Sequence, residues 1–258
     1  MRRWFSIGWV LVSFLMIAGG FCLSAAIALV FEASGAGALQ AGHVAGGFVG
    51  GFFAARASPR RRIAEPAIAG ALLVPAVFGI LRLVSIEIHL AAGDGVALAA
   101  LRVAFLTGLG SLVGAILGQR ISSGEQSSSA LRWWGIAMLI DMGLTGVLLL
   151  LVSLFLDAFD PLEIALAVRV LGGFGSGFVT QAIAPRPMPW TCGAGVFGLA
   201  FAVAMTDPVE GSIPLAVVSG VAIGGIWLIG ALGAAVGWAL IGSRRAPPAA
   251  DLPEARLR

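Results

Sequence analysis

Lysine, asparagine and tyrosine are all missing from this 258-residue chain, and charge of any kind is scarce. Without lysine, every basic side chain except His43 and His89 is an arginine. The three missing residues share AT-rich codons, so a GC-rich bacterial genome is the expected source. Charged residues make up 11% of the chain and hydrophobic residues 59%, whereas a soluble domain carries roughly 25% charged residues. The composition is that of an integral membrane protein. No basic domain stands outside the apolar segments, so the high isoelectric point reflects arginine-rich loops, and no nucleic-acid partner is expected.

The chemical groups of common enzyme classes are also missing. There is no HExxH or CxxC motif and no pair of aspartates within the apolar runs, which excludes the usual zinc and aspartyl-protease ligand sets. Glycine strings such as GGFGSGF neither follow a strand nor precede a lysine, so they are not phosphate loops. Ser176 and His43 could suggest a serine dyad, but the repeat described below aligns Ser176 with Gly50, which marks a small packing position. His43 and His89 are too few for an ordinary bis-histidine haem. No enzymatic activity, cofactor or metal is expected. The two cysteines, Cys22 and Cys192, sit in apolar stretches at different depths and are expected to be free thiols.

The main positive feature is an internal repeat. Val44 to Arg60 (VAGGFVGGFFAARASPR) matches Val170 to Arg186 (VLGGFGSGFVTQAIAPR) at 8 of 17 positions without a gap. A second match joins LGSLVGAILG at Leu109–Gly118 to LGAAVGWALI at Leu232–Ile241. A bilayer core of about 30 Å needs about 20 apolar residues per helix. Eight segments qualify: 6–31, 36–55, 66–86, 95–118, 133–156, 162–183, 190–206 and 214–242. The first is too long for the apolar core of a signal peptide, and Phe21 before Cys22 does not suit a lipoprotein signal, so it reads as an uncleaved helix.

Loop charge fixes the expected orientation. Arg2, Arg3, Arg56, Arg60, Arg61, Arg62, Arg120, Arg132, Arg186, Arg244, Arg245, Arg256 and Arg258 fall on one side. Glu32, Glu87, Asp94, Asp157, Asp160, Glu163, Asp207 and Glu210 fall on the other, with no arginine among them. By the positive-inside rule both termini are cytoplasmic, in a bacterial inner membrane. The expected fold is thus all-α, with eight transmembrane helices as a parallel 4+4 duplication. The first repeat covers 1–118, a linker 119–132, the second repeat 133–242 and a cytoplasmic tail 243–258. An even number of helices per repeat leaves both halves in one orientation, related by an axis along the membrane normal.

Glycines spaced four apart mark helix faces that allow close backbone approach. They are Gly42, Gly46 and Gly50 with Gly47 and Gly51 beside them, then Gly110, Gly114 and Gly118, then Gly173 and Gly177, and finally Gly233 and Gly237. These faces predict that the even-numbered helices form the tight centre of the bundle. Trp4, Trp9, Trp133, Trp134 and Trp190 stand at helix ends, as aromatic anchors at the membrane surface do. Pro59–Arg60 and Pro185–Arg186 close the glycine-rich helices of the two halves.

His43, Arg82, Arg102, Asp141 and Arg169 fall inside the predicted spans. A charge in mid-bilayer costs about 2.5–3.5 kcal/mol on insertion scales, so such groups pair, snorkel or line a pathway. At about 1.5 Å of rise per residue, the four basic groups lie roughly 7–11 Å below the outer surface, with Asp141 nearer the midplane. His43 and Arg169 occupy matching places in the repeat, each three residues before its GGF motif. Arg169 shares a face with Gly173 and Gly177, and His43 with Gly47 and Gly51. Asp141 has Leu15 at the matching place by the same alignment.

Two arrangements follow. Asp141 pairs structurally with Arg169 or Arg102 while Arg82 snorkels beside Glu87, or His43, Arg102, Asp141 and Arg169 form a basic pocket for a small anion or an anionic lipid headgroup. A relay through Asp141 and His43 is a thinner third. In functional terms the alternatives are a small permease or channel between the two halves, or a non-catalytic scaffold or subunit that packs against lipid or other membrane proteins; a homo-oligomer is compatible with the first.

Overall fold

Lipid offers no hydrogen bonds to a backbone, so a spanning segment must satisfy its own amides, which favours helix along every apolar run. The computed structural model describes residues 7–30, 36–58, 63–83, 95–122, 130–152, 161–195 and 213–242, and these are almost wholly helical. The helices are α1 (Ile7–Val30), α2 (Ala36–Ala57), α3 (Ala64–Leu83), α4 (Gly95–Ser122), α5 (Ala130–Val152), α6 (Pro161–Ile183), α7 (residues 189–195) and α8 (Ile213–Gly237). A π-turn, Trp238–Gly242, extends α8. No strand occurs among the described residues. Three segments, Ile7–Ala25, Leu101–Ile121 and Ala130–Val152, are long and apolar enough to cross a membrane. The chain therefore has the make-up of a multi-pass membrane protein. Pro75 sits within a continuous α3.

Helices α2 and α4 pack closest, and α6 with α8 next. Their contact is backbone on backbone. Gly51 lies against the Ser111 carbonyl, Gly114 against that of Phe48 and Gly118 against that of Phe52. Likewise Gly177 lies against the Gly230 carbonyl, Gly233 against that of Phe174 and Gly237 against that of Phe178. A Cβ at any of these glycines would fall on the facing chain, so the small-residue faces are required by the packing.

This geometry corrects the register of the second sequence match. Phe48 and Phe174 align in the repeat, and they meet Gly114 and Gly233. The sequence alignment had placed Gly114 opposite Gly237, one helical turn away.

The centre of the molecule also differs from the expectation. The even-numbered helices are tight partners within each half, while the extensive contact across the halves is made by α1 and α5. There Gly19 lies against the Leu139 carbonyl and Gly143 against the Leu15 carbonyl. Each helix presents the same Leu-xxx-Gly unit to the other. Neither glycine belongs to a long glycine-every-fourth-residue series, so the seam was not visible as one. In this register Asp141 corresponds to Ile17, two residues from the Leu15 of the ungapped alignment.

An apolar cluster at one end of the bundle joins Met16, Ala54, Ala57, Trp133, Ile136, Ile140, Ala184 and Met188. Trp133 is 2% exposed. It is a core residue and not the surface anchor its position suggested, whereas Trp190 is exposed and stacks on Trp227 at 5.0 Å. Trp134 is half-buried and donates from Nε1 to the Ala194 carbonyl at 2.9 Å, tying α5 to α7. Trp4 lies outside the described residues.

Candidate functional site

With Leu139 and Gly143 turned to α1, helical periodicity turns Asp141 and Thr145, four residues apart, to a different face of α5, the one that meets α6. Arg169 and Ser176 lie two turns apart on one face of α6. The four side chains converge. Arg169 Nη1 donates to Asp141 Oδ2 at 2.8 Å and to Thr145 Oγ1 at 3.3 Å. Ser176 Oγ lies 3.3 Å from Asp141 Oδ1 and 3.1 Å from the Gly173 carbonyl, so its hydroxyl is shared between them. The Asp141 side chain is 0% exposed and that of Arg169 18%. The carboxylate is wholly enclosed, and its cationic partner is mostly buried.

The corresponding place in the first half has the same packing and different chemistry. Gly50 lies against the Ile17 backbone, where Ser176 meets Asp141. His43 stacks on Phe21 with ring centroids 4.6 Å apart and planes 17° from parallel, where Arg169 meets Thr145. Gly46 meets Phe21 and Gly172 meets Thr145. Ile17, Phe21, His43 and Gly50 thus hold, position for position, the places of Asp141, Thr145, Arg169 and Ser176. One half carries an ion pair with two hydroxyls, and the other carries an apolar contact with an imidazole.

Of the four residues expected to form one pocket, Asp141 and Arg169 come together. Arg102 does not join them: it lies on the exposed face of α4, and α4 makes no extended contact with α5. Long apolar helices give no sequence signal of which side faces inward, and Arg102 faces out with Leu101 and Phe105. His43 is half-buried at the α1–α2 contact. The side chain of Arg82, and all of Glu87, lie outside the described residues.

Thr145 was not identified from sequence, and Ser176 was read only as a packing residue. It is that, at 0% exposed, and a hydrogen-bond donor as well. Gln181 was missed entirely. Its Nε2 donates to the Arg186 carbonyl at 2.8 Å, and its Oε1 accepts from the Met188 amide at 2.7 Å. It fixes the turn that follows α6 after Pro185. A polar residue one turn before a Pro-Arg helix stop was the available signal.

Both cysteines are free thiols. Among the described residues no cluster of histidine, cysteine, aspartate or glutamate is able to hold a metal ion. No protein-family model matches this chain, and no curated protein or solved structure matches it either.

Proposed function

We propose that this chain is a small permease or channel of a bacterial inner membrane, built as a parallel 4+4 duplication with both termini cytoplasmic. Its solute is a small anion, and Asp141 and Arg169 form the site. The observation that carries this reading is the inequality of the two matching places. Ile17 and Gly50 sustain the same helix contact without charge, so the fold does not require an ion pair at that position. A buried pair commonly adds little stability over apolar residues of similar volume. Ionisable groups within a span otherwise mark solute or proton pathways.

The chemistry is an exchange of partners. While Asp141 is ionised it holds Arg169. Protonation of Asp141 removes the charge that holds the guanidinium, which then pairs with an arriving anion, so the anion and the proton enter the site together. When the anion leaves, Asp141 loses its proton and recaptures Arg169. Thr145 and Ser176 supply hydroxyls to whichever partner is present. Backbone contact closes the α1–α5 seam itself, so the route runs beside it, along α5 and α6. Proteoliposomes loaded with a pH-sensitive dye test this with chloride, nitrate, phosphate, sulfate and acetate. An inward gradient of the transported anion acidifies the lumen with the wild type and fails to do so with Arg169→Gln. No acidification with any of these anions contradicts the proposal.

A scaffold role is the second reading. It draws on the exposed apolar stripe Leu101, Phe105, Leu109, Val113 and Leu117 along α4, which lipid or a protein partner covers equally well. Native mass spectrometry of protein extracted in mild detergent separates the two. A stoichiometric foreign subunit favours the scaffold, and a lone monomer or homodimer favours transport.

A further inference from the structure

We propose that the α5–α6 contact continues as a proton relay on the cytoplasmic side of Asp141, in which Ser176 and Thr180 hold one water between them. The relay rests on the proton-coupled transport reading above and adds to it the path by which Asp141 gains and loses its proton.

The register of the two helices places the residues. Gly172 meets Thr145 and Ser176 meets Asp141, so a turn back along α5 matches a turn forward along α6. The next turns set Thr180 opposite Ala137 and Ala184 opposite Trp133. The last pair agrees with the packing, since Ala184 and Trp133 share one apolar cluster. Thr180 therefore stands one helical turn beyond Ser176 on the same face of α6, toward the end that carries Arg132 and Arg186.

Thr180 is wholly buried, and its Oγ1 has no hydrogen-bonding partner in the protein. Helical hydroxyls commonly satisfy themselves on the carbonyl one turn back, as Thr107 does on Val103 and Ser24 on Gly20. Thr180 does not, and Ala137 opposite offers it nothing polar. Side chains one turn apart have Cβ atoms about 5–6 Å apart, a gap that one water spans with two hydrogen bonds of about 2.8 Å. Ser176 is able to take its share: its one proton is turned to Asp141 and Gly173, while its oxygen still accepts. Two polar partners are enough to hold a buried water. When Asp141 gives up its proton, Oδ1 passes it to Ser176 Oγ, and Ser176 passes its own to the water. The water passes one to Thr180 Oγ1, whose own proton leaves toward the cytoplasmic end. Each intermediate oxygen gains one proton and loses one, Asp141 becomes a carboxylate, and cytoplasmic water takes up the proton. The reverse sequence reloads Asp141. Trp133 and Ala184 cover the contact one turn further on, so the last transfer takes place when that end opens in the transport cycle.

Two measurements on the full-length protein test the relay: anion-driven acidification of dye-loaded proteoliposomes, and the anion-dependent rise in Tm in dodecyl maltoside. The probes are chloride, nitrate, phosphate, sulfate and acetate, each used separately. Thr180→Val keeps the shape of the side chain and removes its oxygen. It is expected to slow acidification roughly tenfold, which is what one lost hydrogen bond is worth in a rate, and to leave the rise in Tm unchanged. Thr180→Ser puts the oxygen back and is expected to keep most of the wild-type rate. Ser176→Ala breaks the relay one oxygen earlier, with the same expected loss, and serves if Thr180→Val does not fold. Ser13 Oγ is also buried without a partner, but it stands one turn from Ile17 on α1, where there is no carboxylate to serve. Ser13→Ala is therefore expected to acidify at the wild-type rate. A wild-type rate in Thr180→Val, or in Ser176→Ala where Thr180→Val does not fold, overturns the relay and leaves the transport reading standing. Equal losses in Thr180→Val and Thr180→Ser also overturn it, because they mark a packing role. If the wild type acidifies the lumen with none of these anions, the transport reading falls and the relay falls with it.

Discussion

Ser176 approaches Asp141 to 3.3 Å across the α5–α6 contact, at the place where Gly50 rests on Ile17 in the first half. One residue exchanged on each helix turns an apolar helix contact into a hydrogen-bonded carboxylate, with the backbones left in the same relation. Arg169 then completes the polar group from the place that His43 holds beside Phe21. The first half is in effect a natural control for the second, and it gives several predictions a definite sign.

Removing one member of the pair takes from the other its charged partner. Asp141→Leu leaves Arg169 mostly buried without its carboxylate and is expected to lower stability by about 3 kcal/mol. Adding Arg169→Leu to it restores most of that loss. Adding Arg102→Leu instead restores none, because Arg102 faces outward from α4. Thermal unfolding in detergent measures all three, and rescue by Arg102→Leu contradicts the assignment of partners.

The glycine contacts sort by what faces them. Gly114→Ala and Gly233→Ala each drive a Cβ onto a phenylalanine carbonyl, of Phe48 and Phe174 respectively. Each is expected to destabilise by about 2 kcal/mol or to separate its helix pair. A Cβ at Gly225 meets nothing within 4 Å, so Gly225→Ala changes stability by less than about 1 kcal/mol. Equal effects at Gly225 and Gly233 would show that the α6–α8 contact is not set by glycine.

Gln181 holds the Met188 amide and the Arg186 carbonyl together. Gln181→Leu leaves the buried Met188 amide unmet, at about 1–3 kcal/mol, and loosens the turn that leads into α7. Cys192 is buried beside it and reports the change. In a Cys22→Ser background, maleimide labelling of Cys192 is expected to speed up several-fold in Gln181→Leu. An unchanged labelling rate would mean that the turn is held without Gln181.

Much of the helical plan is legible in the sequence, since apolar length and glycine spacing act along one chain at a time. The predicted span 133–156 contains most of α5, observed at Ala130–Val152, and the glycine faces of α2, α4, α6 and α8 meet as close pairs. What was lost depends on rotation and register. Glycines repeat every fourth residue, so sliding one helix by a turn matches nearly as well, and the α4–α8 alignment slipped by that amount. The direction of Arg102 and the burial of Trp133 depend on which face of an apolar helix turns inward, and hydropathy is nearly uniform around α4 and α5. Asp141 and Arg169 were legible as a pair because a buried charge needs a partner and few were available. Thr145 and Ser176 were harder to assign, because small hydroxyl residues also serve as packing residues in membrane helices.

The central claim is that the Asp141–Arg169 group serves a solute and is not required for the fold. The most direct test is thermal unfolding of the wild type and of Asp141→Ile/Arg169→Leu/Ser176→Gly, each with and without the same set of small anions. The account predicts a triple variant that melts close to the wild type and shows no anion-dependent rise, while the wild type rises with at least one anion. A triple variant that cannot fold, or one that keeps the full anion response, would contradict it.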